Sequence, residues 1–258
     1  MIKICIDPGH GGNDRYNKGP TGYIEADGVL DISLKLRDEL LSTGSFDVML
    51  TRDKDMTLGV RERGVMAAKW GADMFISEHS NATGWKVNNT KRGVDVFYSV
   101  DIPSDKDFAN RMSKEIADVM DTNNNGGYTW ESKNYPGEDY LGVIDAAQDG
   151  GVPHVLLIEN GFHDNPDDEA ILKDEFDRHL IAKTQAKIIC DFYGVKYPVE
   201  KNKTTRELKD WEKNVFDECL SKGIITDPSW KERPDEKIDV VHVLAMLNNL
   251  YNRLINSK

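Results

Sequence analysis

Across residues 1–193, short runs of apolar, β-branched and aromatic residues alternate with segments whose apolar residues recur at helical spacing. No other feature of the chain restricts its fold as much. The short runs fall at 2–7, 46–51, 73–79, 94–99 and 154–159 and predict strands. Between the first two, Val29, Ile32, Leu36 and Leu40 follow i, i+3, i+7, i+11 in a segment that stops at Gly44, a residue suited to the position after a helix. Residues 61–70, 106–120 and 167–193 predict further helices. Strands that are apolar almost throughout bury both faces, so the expected class is α/β, a mostly parallel twisted sheet flanked by helices. Residues 122–137, TNNNGGYTWESKNYPG, show no period and predict a long loop of the kind that is usually functional.

At 258 residues the chain exceeds one small core. The α/β pattern occupies residues 1–195, and a stretch with Pro198 and several charges marks a linker at 196–203. Residues 204–258 differ in kind: Leu208, Trp211, Val215 and Cys219 outline one amphipathic helix closed by Gly223, and Val240, Leu244, Leu247, Tyr251 and Leu254 outline a second at 4,3,4,3 spacing. A helical unit of about 55 residues has little core of its own. It is expected to dock on the larger domain, bind a partner, or pair with a second copy, since the 4,3,4,3 spacing suits a dimer seam.

Charge narrows the partners. Of the net charge of -12, none comes from residues 200–258, which hold 11 Lys+Arg and 11 Asp+Glu, so the whole deficit lies in residues 1–199. Phosphate binding needs clustered basic side chains, which argues against nucleic acid. Cys5, Cys190 and Cys219 are odd in number, widely spaced and set in apolar or amphipathic runs, which reads as reduced thiols. The opening MIKICIDPGH has no charged segment followed by an apolar stretch and cleavage site, so no signal peptide is expected. No apolar run approaches the ~18 residues of a membrane span. Synthesis in the cytoplasm follows as an expectation.

Chemistry-bearing residues sit where the strands end. His10 lies in Asp7-Pro8-Gly9-His10-Gly11-Gly12, just past the first strand, and ligands of parallel sheets collect beyond the carboxyl ends of strands. Alone, His10 reads better as a turn histidine with no partner. His79 ends the third run in Ser77-Glu78-His79-Ser80-Asn81, and Glu159 ends the apolar run Val155-Leu156-Leu157-Ile158. A carboxylate closing a buried strand is costly unless it meets water, metal or a charged partner. Glu25 opens the first helix and locally reads as an acid complementing the helix dipole. Glu78 neighbours His79, and strand alternation aims it at the opposite face, so it is set aside.

Six separated segments agree in order and spacing with one family: Ile6 to Gly12, Glu25, Thr51-Arg52, 63–73, 77–81 and 157–165. Together they resemble the zinc-dependent N-acetylmuramoyl-L-alanine amidases of the amidase-3 type, over about residues 1–193. The resemblance implies zinc ligands at His10, Glu25 and His79, and a catalytic glutamate at Glu159. Two imidazoles and a carboxylate leave a fourth tetrahedral position, as in catalytic zinc sites. The implied reaction is hydrolysis of the amide between N-acetylmuramic acid and L-alanine in bacterial peptidoglycan. Zinc carboxypeptidase action on the stem peptide and a silent wall-binding module are the rival readings. With no signal peptide, a phage or prophage endolysin acting at the cell wall is expected over a host autolysin. The tail loosely resembles the helical C-terminal segments of clostridial phage endolysins.

Some positions depart from the family pattern without removing a ligand or the base. Glu78 replaces an apolar residue, Ala68 a frequent Asn, and His163 an apolar residue. His163 is expected in a surface loop, His154, His179 and His242 in structural places, Asn81 orienting the His79 loop, and Arg63 in a structural salt bridge.

Overall fold

The computed structural model describes residues 1–84, 86–198, 217 and 219–221. Apart from residues 217 and 219–221, which are helical, the expected tail helices, with their dimer seam, His242 and most of the linker, lie outside these residues. Residues Met1–Tyr197 form a compact unit.

Its strands are β1 (Ile2–Pro8), β2 (Phe46–Leu50), β3 (Met74–Asn81), β4 (Val94–Tyr98), β5 (Asn124–Tyr128) and β6 (Val155–Phe162). Its α-helices are α1 (Glu25–Ser42), α2 (Val60–Trp70), α3 (Lys106–Met120), α4 (Gly142–Asp149), α5 (Pro166–Lys173) and α6 (Glu175–Phe192). The six strands lie in the order β2-β1-β3-β6-β4-β5. Every neighbouring pair is parallel except β4 with β6, which is antiparallel. The expected α/β class with a mostly parallel sheet is the one observed.

Alternation along the strands divides the sheet into two apolar faces. Ile4, Ile6, Ile76, Val96 and Ile158 pack with Ile32, Leu36, Met112, Ile116 and Ile189 of α1, α3 and α6. Cys5, Phe75, Phe97 and Leu157 pack with Ala67 of α2 and Val143, Ile144 and Ala147 of α4 on the other face. Helices α2 and α4 approach at backbone distance, because a Cβ on Gly64 would stand 2.6 Å from both Ala147 N and Val143 O. Cys5 and Cys190 are buried free thiols, as expected. No helix among the described residues is long and apolar enough to cross a membrane.

Three elements differ from the sequence reading. The aperiodic stretch at 122–137 contains β5, whose residues NNGGY lack apolar character. Gly127 is required there because α3 crosses so closely that a Cβ would sit 2.7 Å from Ala109 Cβ. Helix α4 is short and built from small residues, so its period is hard to discern. The segment expected as one helix over 167–193 is two, because Asp174 adopts an extended conformation and its side chain caps α6, accepting from the N–H groups of Phe176 and Asp177.

Candidate active site at the strand ends

The turn after β1 is shaped by two buried arginines. Arg52 donates to the carbonyls of Pro8, Gly9 and Ala26 at 2.8, 2.8 and 2.7 Å. Arg63 donates to the carbonyls of Pro8 and His10 at 2.6 and 2.7 Å and to Asp7 Oδ1 at 2.8 Å. The carbonyls of three successive residues are thus engaged, and His10 is held with φ at 59°, a conformation disfavoured for residues other than glycine. Asp7 is fully buried and also accepts from Thr51 and Ser77. Burial, then the neighbouring Arg63, pushes the Arg52 guanidinium down to about 10. Arg63 therefore makes the expected salt bridge, and beyond it fixes the turn.

The structure brings His10, Glu25 and His79 together. One ligand atom from each lies within 4.8 Å of the others. Glu25, the first residue of α1, is buried despite its charge. Its Oε1 accepts from the Ser80 N–H at 2.9 Å and lies 3.2 Å from His79 Nδ1, while its Oε2 lies 3.3 Å from His10 Nε2. The other nitrogen of His10 faces Asp14 Oδ2 at 2.8 Å. The two imidazole rings meet edge to face with centroids 4.9 Å apart. His79 fits only because residue 9 is glycine: a Cβ there would fall 2.3 Å from His79 Cε1.

The charges of this cluster depend on one another. Burial opposes ionisation of Glu25, but the hydrogen bond with His79 and the close approach of both imidazoles outweigh it and hold the carboxyl well below its usual range. Burial likewise works against a charged His10, but the Glu25 and Asp14 carboxylates hold its pKa up to about 9.

Glu159 stands beside His79 in the β3–β6 register, and across the antiparallel pair it faces Asp95 of β4. Strand alternation puts His79, Glu159 and Asp95 on the sheet face covered further along by α2 and α4. Burial, then the carboxylates of Glu25 and Asp95, raise Glu159 well above an ordinary carboxyl. Its Oε2 is buried without a hydrogen-bond partner. Asp95 is held by Asn81 Nδ2 at 3.1 Å, Asn125 Nδ2 at 3.3 Å and the Tyr128 hydroxyl.

Glu78 does face away, as alternation required. Its Oε2 accepts from Asn160 at 2.6 Å and Gln185 of α6 at 3.2 Å, and burial raises its carboxyl to about 7. His163 does not lie in an exposed loop. It is buried, with Nδ1 at 2.9 Å from the Ser80 carbonyl, because β6 continues through Phe162 and carries it under the β3 end. His154 pairs with Asp105 at 2.7 Å and His179 with Glu39 at 3.4 Å, both away from the cluster, in structural places as expected. Asn81 bonds Asp95 through Nδ2 rather than the His79 side chain, and its Oδ1 accepts from the Ala82 N–H. Asp95 was missed by sequence reasoning, although a lone acid inside the run Val94-Asp95-Val96-Phe97 was an available signal, and Arg52 stood in a matching segment with no role given to it.

The donor set suits a metal ion. Two imidazole nitrogens and two carboxylate oxygens converge, and Glu25 Oε2 is buried without a hydrogen bond, since its approach to His10 lacks hydrogen-bond geometry. Such a vacancy in hydrogen bonding is costly unless a cation completes it. The Asp14 carboxylate behind His10 completes the arrangement common for metal-bound imidazole.

The family model described as N-acetylmuramoyl-L-alanine amidase matches residues 4–191. The chain belongs to the N-acetylmuramoyl-L-alanine amidase family. The chain is 33% identical over 187 residues to N-acetylmuramoyl-L-alanine amidase CwlM of Bacillus licheniformis, a match covering 72% of the chain and 66% of that relative. It is 29% identical over 202 residues to the Endolysin of Bacillus phage SPP1, covering 75% and 66%. The chain superposes on the catalytic domain of CwlV from Bacillus (Paenibacillus) polymyxa var. colistinus with a TM-score of 0.65 and 27% identity, covering 76% of the chain and 100% of that domain.

Proposed function

We propose that the chain is a zinc-dependent amidase that cleaves the bond between the lactyl group of N-acetylmuramic acid and L-alanine in peptidoglycan. The observation that carries this reading is the convergence of His10, Glu25 and His79 beside an unpartnered Glu159 oxygen, inside a domain of the amidase family. His10 through Nε2, His79 through Nδ1 and Glu25 would hold the metal. Zinc bound there supplies Lewis-acid polarisation of the amide carbonyl and a lowered pKa for its water.

The protein's own groups do the rest. Glu159, raised by burial and by Glu25 and Asp95, is basic enough to take the proton of the attacking water and then deliver it to the leaving L-alanine nitrogen. Asp95 and its partners Asn81, Asn125 and Tyr128 fix the strand facing it. Arg52 and Arg63 keep His10 in position while the substrate enters.

Within this reading the chain is an endolysin made in the cytoplasm of a bacterial host and acting at the cell wall, a role supported by its likeness to a phage Endolysin. The test is a wall-lysis assay on protein stripped with a chelator and then resupplied. Lysis must vanish on stripping and return with zinc; lysis that persists in fully stripped protein overturns the metal-dependent reading.

A further inference from the structure

Four of the thirteen large hydrophobic or aromatic side chains exposed among the described residues fall within residues 128–140: Tyr128, Trp130, Tyr135 and Tyr140. Their exposure is not the result of a loose loop. The Tyr140 N–H donates to the Trp130 carbonyl at 2.7 Å, and the Ser132 N–H to the Glu138 carbonyl at 2.8 Å, with a bridge between Glu131 and Asp139. Asp139 anchors this hairpin to the end of β4, accepting from Ser99 Oγ at 2.6 Å and the Val100 N–H at 3.0 Å. Trp130 and Tyr140 are therefore presented in a fixed stack, centroids 4.3 Å apart and planes 20° from parallel, while remaining 44% and 56% exposed. Rigid, half-exposed aromatic surface of this kind marks a place where something binds.

The stack is continuous with the candidate active site. Trp130 packs on Phe97 at 5.7 Å, and Tyr128 meets the same ring edge-on at 4.6 Å while its hydroxyl donates to Asp95. Asp95 lies opposite Glu159, and Phe97 is two residues further along the same strand face. A substrate whose scissile amide reaches Glu159 must extend to one side as glycan and to the other as peptide. Charge decides which side this is. Glu131, Glu138 and Asp139 belong to the hairpin itself, against Lys133, and carboxylate oxygens of Glu138, Asp145 and Asp149 lie within 4.8 Å of one another; Arg61 pairs with the last two, and the five carboxylates still outnumber the two cations. That negative surround repels a stem peptide ending in a carboxylate and is indifferent to an uncharged sugar.

We propose that Trp130 and Tyr140 are a stacking platform for the uncharged N-acetylhexosamine rings of the glycan strand, whose apolar C–H faces suit aromatic rings and whose hydroxyls suit the carboxylate surround. The platform sets which part of the substrate is read, and it rests on the amidase reading only for its choice of ligand.

The test uses the full chain and a neutral β-1,4-linked N-acetylglucosamine tetramer, which lacks the lactyl group and the amide to L-alanine, with binding followed by titration calorimetry. Trp130→Ala and Tyr140→Ala each weaken tetramer binding about tenfold, the loss of one ring contact, and Trp130→Phe restores most of it. On glycan-linked substrate the alanine variants raise KM by about as much, with kcat within about twofold. The platform is overturned when the tetramer does not bind, when the alanine variants bind it as the wild type does, or when they raise KM equally for a peptide-bearing substrate without a glycan chain. Tetramer binding that depends on Trp130 in a protein unable to cleave walls supports the platform and rejects the amidase reading instead.

Discussion

Arg63 donates to the backbone carbonyl of His10 across 2.7 Å, linking a buried guanidinium on α2 to a histidine in the left-handed region after β1. Lysine at position 63 keeps the charge but cannot span Asp7, Pro8 and His10 together. Arg63→Lys is therefore expected to lower stability by about 2 to 4 kcal/mol, because a buried ionic network is left incomplete. Zinc affinity falls at least about tenfold, the usual scale for losing support behind a ligand. Denaturant titration and competition with a chromophoric chelator measure the two effects. Loss of stability with unchanged affinity shows that Arg63 does not position His10.

Glu159 separates chemistry from metal holding. Glu159→Gln keeps the shape of the side chain and removes its capacity to take a proton, so activity should fall by about 10² to 10⁴. Zinc content should stay at the wild-type value, since the convergent ligand atoms belong to His10, Glu25 and His79. Elemental analysis beside a lysis assay reads both. Equal loss of metal and activity shows Glu159 to be a ligand rather than a base.

Much of this arrangement was legible from the chain. The central strands β1, β3 and β6 stand out because both of their faces are buried, which forces apolar runs, and the polar residues that close those runs mark the open end of the sheet. Glu25 was not distinguishable, since an acid in the first turn of a helix is favourable whether or not it also faces a metal. Its burial against Ser80 and two histidines depends on contacts between residues 54 and 55 positions apart. Strand β5 was hidden for a different reason: an edge strand crossed closely by α3 needs Gly127, and glycine is a loop signal in sequence. The buried place of His163 likewise follows from β6 running past Glu159, a length that its apolar run does not announce.

Glu78 predicts a pH effect unconnected with catalysis. Its folded carboxyl is raised from 4.5 to about 7, chiefly by burial. For an acid raised on folding, the unfolded chain loses its proton first, so stability falls as pH rises between those two values and is level above them. Glu78→Gln removes this loss. The variant should be more stable than the wild type by up to about 3 kcal/mol at pH 8, with the difference shrinking towards pH 4.5. Thermal denaturation across that range checks the slope, and a difference independent of pH contradicts it.

His10 couples metal binding to protons. In the metal-free protein its pKa stands at about 9, raised from 6.5 by Glu25 and Asp14 against the effect of burial. A histidine raised on folding contributes stability below 6.5 that is lost as pH passes through about 9, so metal-free protein should weaken over that window. Zinc must displace the same proton, so its affinity should rise over the same window, and binding near pH 7.5 should release about one proton. Calorimetry in buffers of different ionisation enthalpy counts it. Binding that releases none places the metal elsewhere.

The central claim is tested most directly by mass spectrometry of purified peptidoglycan after digestion with the zinc-loaded protein. The account predicts intact glycan strands together with complete stem peptides bearing free L-alanine amino termini. Stem peptides shortened at their carboxyl ends, or cleaved glycan with peptides still attached, would contradict it.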